Sequence, residues 1–109
     1  MVIQTCDRWY SNGLTVEVAE SLEKKYAKIQ NPTFGLAHFD HLALRVDLHY
    51  EDGSGTREWI IQEPEDMKQL FLRTKTTTMK QLGGKVVEVY INIRDMEKVK
   101  GLSVNENLV

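Results

Sequence analysis

Residues 42–50 alternate. Leu42, Leu44, Val46, Leu48 and Tyr50 take every second position, with Ala43, Arg45, Asp47 and His49 between them. Successive side chains of a strand point to opposite faces, so this period of two predicts a half-buried antiparallel strand with the Leu42 set inward. Phe39 lies on the opposite parity from Leu42, which calls for a bulge near residues 38–41 that inserts one residue. Glu51-Asp52-Gly53-Ser54-Gly55 follows, and Asp-Gly is a favoured hairpin pair. Residues 56–62, with Trp59, Ile60 and Ile61, read as the returning strand.

A second alternation runs over residues 85–93. Val87, Val89, Ile91 and Ile93 point one way; Val86, Glu88, Tyr90 and Asn92 point the other. The side with Val86 and Tyr90 is less polar than a free surface, so the pattern predicts a cover over it, from the N-terminal segment or from a partner. Residues 94–98 read as a turn and 99–104 as a short closing strand.

Two stretches carry helical spacing instead. In residues 15–29, Val18, Ala19, Leu22, Tyr26 and Ile29 share one face, Thr15 is the N-cap, and Asn31-Pro32 ends the helix. The competing reading is a strand over 14–18, from the alternation Leu-Thr-Val-Glu-Val. Glu63-Pro64-Glu65-Asp66 opens a second helix, with proline in its first turn and acids at the positive end of its dipole. Met67, Leu70, Phe71 and Thr74 form its inward stripe. Thr76-Thr77-Thr78 interrupts it, because β-branched residues are poor helix formers. A short helical turn over 77–82 is closed by Gly83-Gly84. The sum is an α+β chain: a small antiparallel or mixed sheet of three to five strands, with one or two helices packed on one face.

Composition changes this picture little. The 109 residues fit a single domain over 1–109, with 1–12 and 105–109 expected to be loosely ordered and 2–5 a candidate short edge strand. At 41% hydrophobic and 28% charged, the chain is ordinary for a globular protein. With 14 basic and 16 acidic residues it lacks the basic excess that phosphate contacts demand, which argues against nucleic acid as the main partner. The one cysteine, Cys6, excludes an intramolecular disulfide and fits a reducing compartment. No uncharged stretch is long enough to span a bilayer, and charge arrives too early for a signal peptide. These features point to the cytoplasm and away from membranes.

Candidate chemistry is sparse. His38, Asp40, His41 and His49 are of a type that binds zinc or iron. On one strand His41 and His49 stand about 25 Å apart, and no HExxH or second cysteine supports them. Polar residues at a strand entrance account for the group. His49 beside Asp47 and Glu51 would need a cleft to act as an acid or base. Gly53-Ser54-Gly55 and Gly83-Gly84 match no phosphate loop. Cys6 has no activating base and stands next to Asp7, which leaves it inert. Trp9 and Tyr10, with Val86 and Tyr90, are the candidate interaction residues, as exposed aromatics anchor interfaces. Neither a catalytic residue nor a cofactor is expected. The lysines and arginines at 24, 25, 28, 73, 75 and 80 read as solvated faces.

The run His41-Leu42-Ala43-Leu44-Arg45-Val46-Asp47-Leu48-His49-Tyr50-Glu51-Asp52-Gly53-Ser54-Gly55, followed by Leu82-Gly83-Gly84-Lys85-Val86-Val87-Glu88-Val89, resembles a group of small phage- and prophage-encoded proteins. In that group a Leu-x-Leu-x-Leu-x-Tyr strand enters a Gly-Ser-Gly turn, and a helix leads to a Gly-Lys-x-Val-x-Val strand. The resemblance covers about residues 41–93. It departs at Thr56-Arg57-Glu58-Trp59, where the group carries glutamine and more glycines. It implies a viral or mobile-element gene acting in a bacterial cell, and carries over no functional residue. The function expected is a non-enzymatic accessory protein that binds a macromolecule, most naturally a protein, with inhibition of a host defence factor as one form. The alternatives are a small metal-dependent enzyme or metal-binding domain using the His38–His49 region, and a self-assembling module paired through an edge strand.

Overall fold

The computed structural model describes residues 9–36, 41–95 and 98–105. Five antiparallel strands make one sheet: β1 (Glu23–Leu36), β2 (Leu42–Tyr50), β3 (Thr56–Ile61), β4 (Val86–Asn92) and β5 (Lys98–Ser103), in the order β3-β2-β1-β4-β5. Three short helices accompany it: α1 (Val16–Glu20), α2 (Pro64–Thr74) and α3 (Met79–Leu82). The α+β class and the antiparallel sheet expected from the pattern are what the structure has.

The central strand is where the expectation fails. Residues 15–29 do not form one helix. Thr15 does cap a helix, accepting from the Val18 amide at 3.2 Å, but α1 stops after five residues. The strand reading over 14–18 fails too, since α1 lies there. From Glu23 the chain is β1, paired with β2 on one side and β4 on the other. Its inward residues Ala27 and Ile29 are fully buried. Lysines and an alanine are weak strand formers, but β4 pairs with residues 23–28 and β2 with residues 27–30 and 33–36, and pairing overrides local preference. Asn31-Pro32 likewise ends nothing. It sits at a register shift between Gln30 and Thr33, in the middle of β1. Asn31 takes a left-handed φ of 50°, and its side chain donates to Asp47 Oδ2 at 3.1 Å. A bulge frees the ladder position at which proline has no N–H to give, so proline is tolerated inside an interior strand.

β2 follows the pattern from Leu44 on, whereas Ala43, expected on the outward side, is buried. Leu44, Val46, Leu48 and Tyr50 are buried. Leu42 was expected inward and is 56% exposed, because it lies beyond the end of the packed core. Ile93 is a second correction: it belongs to a 3-10 turn after β4 and is 58% exposed. The bulge expected at residues 38–41 falls mainly outside the described residues, as does the candidate strand at 2–5. The long apolar strand is also not an edge. β2 lies between β1 and β3, and among the described residues the sheet's edges are β3 and β5.

The connection from β3 to β4 carries α2 and α3 across the sheet. Pro64 opens α2, and Lys75 closes it in a left-handed conformation, with the Thr76 amide returning to the Phe71 carbonyl. Thr78 caps α3 by accepting from the Gln81 amide, while Gln81 Oε1 accepts from the Thr77 amide, a near capping box. Leu70 and Leu82 then enter one core with Ala27, Ile29, Leu44, Val46, Leu48, Ile61, Val87, Val89, Ile91 and Leu102. Gly84, at φ 93°, turns the chain so that its amide reaches the Ile29 carbonyl at 2.7 Å and β4 starts in register.

Candidate functional site

The histidines are not gathered. His38 and Asp40 lie outside the described residues. His41 is exposed ahead of β2, and His49 is exposed near its far end. His49 Nδ1 is 3.0 Å from Thr56 Oγ1, its cross-strand neighbour. Asp47 accepts from Asn31, and Arg45 Nε lies 3.4 Å from Glu58 Oε2. Each polar side chain in this row is thus matched to the adjacent strand. Among the described residues no three of His, Cys, Asp and Glu stand close enough to hold a metal ion. Cys6 lies outside the described residues.

The glycine-rich turn is structural. Tyr50 and Gly55 close it through a 2.9 Å hydrogen bond, and the Ser54 amide donates to Asp52 Oδ1 at 2.8 Å. Hydrogen bonds from Ser54, side chain then backbone, hold the exposed Asp52 carboxyl below its ordinary pKa, with Lys25 adding to them. Lys25 Nζ is 3.4 Å from Asp52 Oδ2 and also lies over the Tyr50 ring.

The aromatic candidates come together in part. The Tyr10 ring meets the Tyr90 ring edge-on, with centroids 5.5 Å apart. Tyr90 is buried, and its hydroxyl donates to Glu88 Oε1 at 3.1 Å. Trp9 is half-buried and donates from Nε1 to Asp66 Oδ1 at 3.2 Å. Val86 is half-buried on the same side of β4 as Tyr90. The cover expected over Tyr90 therefore includes the N-terminal segment. Beneath it lies a group that sequence reasoning placed on the outward side without singling it out: Glu88, 1% exposed, with Lys24 Nζ 3.7 Å from Oε2. Nothing local marks Glu88 as buried, because residues far away in sequence shape its surroundings.

A cluster of exposed apolar residues lies at the loop end of the β1–β2 hairpin. Phe34 pairs with Leu44, and Leu36 pairs with Leu42. Directly opposed residues of an antiparallel ladder share a face, and residues two apart on a strand do too. So Phe34, Leu36, Leu42 and Leu44 project from one side. Leu44 is buried in the core, whereas Phe34, Leu36 and Leu42 are 49%, 68% and 56% exposed. Sequence reasoning missed this cluster. Phe34 and Leu36 fell outside any element, and Leu42 was assigned to the core.

Comparison with family models, with curated proteins and with solved structures finds no match to the chain. No helix of the described residues is long and apolar enough to cross a membrane.

Proposed function

We propose that the protein is a non-enzymatic binding module that engages a protein partner through the apolar end of the β1–β2 hairpin. The observation that supports it is the row Phe34, Leu36 and Leu42. These side chains continue the side of the sheet that carries the buried Leu44, yet they remain exposed. Isolated exposed apolar residues are ordinary, but a contiguous row on one strand pair is the kind of surface that proteins bury on binding. The polar row on the opposite side, with its matched pairs, offers no comparable surface. The phage-like pattern of residues 41–93 supports the context of an accessory protein in a bacterial host, with a defence factor as the natural target.

The test compares three baits in host lysate: the wild-type chain, the double variant Leu36→Asp/Leu42→Lys, whose opposite charges face each other across the ladder, and Leu72→Asp. Leu72 is 59% exposed on α2, away from the hairpin end, and serves as the control. All three should melt alike, since substitutions of exposed side chains stay within about 0.5 kcal/mol. A partner held by wild type and Leu72→Asp but lost by the hairpin variant is the expected result. Equal retention by all three contradicts the proposal.

A further inference from the structure

Residues 9–14 run along the outer side of β5. Within the described residues they meet its backbone through one antiparallel bridge, Tyr10 to Ser103, whereas β4 and β5 share five paired positions. Two further hydrogen bonds between the described residues run through side chains. Ser11 is fully buried, and its Oγ accepts from the Leu102 amide at 2.8 Å, standing where a neighbouring strand would place a carbonyl. The Ser103 hydroxyl donates to the Trp9 carbonyl at 2.8 Å. Gly101 permits the close approach: a Cβ there would lie 2.9 Å from the Ser11 carbonyl oxygen and 2.5 Å from Leu14 Cδ1. At Asn12 and Gly13, with φ of 58° and 68°, the segment turns back.

A single carboxylate fastens it from the other side. Asp66, in the first turn of α2, accepts from Trp9 Nε1 through Oδ1 at 3.2 Å and from the Asn12 amide through Oδ2 at 3.1 Å. Asp66 thus ties the segment to α2, alongside the packing of Trp9 against the core and of Tyr10 against Tyr90.

We propose that residues 9–14 form a releasable strap over the β5 edge, with Asp66 as its catch, and that the strap opens as a unit while the sheet stays folded. A segment joined by few backbone bonds opens locally at lower free energy than the core. Opening bares the Leu102 amide and the side-chain-free surface of Gly101. Those are the features that let an extended backbone pair with a sheet edge. The inference is independent of the hairpin end, which lies on the other half of the sheet order.

Amide hydrogen exchange on the full chain tests it, because the Leu102 amide reports the strap and the Ile29 amide, bonded to the Lys85 carbonyl at 2.8 Å, reports the sheet. In the wild type Leu102 should exchange faster than Ile29. Asp66→Asn should speed Leu102 by about tenfold, the equivalent of about 1.4 kcal/mol, and leave Ile29 unchanged. Gly101→Ala should act in the same direction through the steric clash. Equal exchange of Leu102 and Ile29 in the wild type would overturn the proposal. So would an equal acceleration of both amides by Asp66→Asn, a variant that keeps the shape of the side chain.

Discussion

Asp52 shows how a single side chain can serve a turn without serving chemistry. It is exposed, yet Ser54 and Lys25 favour its charged form. A carboxyl with a lowered folded-state pKa contributes stability above its unfolded pKa, and that contribution is lost as pH falls through the folded value. The hairpin turn should therefore loosen only in acid, below the ordinary titration range of aspartate. An NMR titration should place the Asp52 midpoint below that of an unperturbed aspartate, and Ser54→Ala should move it back up. At Glu88 the balance differs. It is buried against the Tyr90 hydroxyl with Lys24 beside it, so its place in the fold depends on side-chain partners rather than on water.

At the scale of elements, most of the sheet can be read from alternation, and the reason is local. β2 and the inward side of β4 carry apolar residues on one parity, β3 ends in the apolar run Trp59-Ile60-Ile61, and α2 carries a helical stripe. β1 is the exception. Its helical-looking spacing comes from Val18, Ala19 and Leu22 running by chance into Tyr26 and Ile29, and its true period rests on only Ala27 and Ile29. A strand that pairs with one neighbour along its first half and another along its second can take residues that would not choose to be extended, and no local signal records that pairing. The bulge at Asn31-Pro32 was also read in the opposite sense, as a stop. It makes a specific prediction. Asn31→Ala must adopt a positive φ without the side-chain bond to Asp47, and should lower stability by about 1 kcal/mol, whereas Asn31→Gly should cost less because glycine reaches that region freely. Thermal or denaturant melting of the two variants decides it. The candidate surface was legible only in part for a related reason. Alternation shows which side of a strand faces the helices, but not where along the strand the helices end, so Leu42 looks identical to Leu44 in sequence.

For the whole molecule, the two halves of the sheet carry different properties. One edge, β5, is covered by residues 9–14 and held through Asp66. Towards the other edge, the β1–β2 hairpin extends its core face into solvent through Phe34, Leu36 and Leu42. On the proposed function, this bare apolar row is the surface that a partner protein covers. The most direct measurement is an amide NMR titration of the labelled protein with the partner recovered by the wild-type bait. The account predicts that perturbed amides cluster at residues 33–36 and 42–45. Perturbation concentrated elsewhere, around Val16 and Leu72 for example, with the hairpin end unmoved, would contradict it.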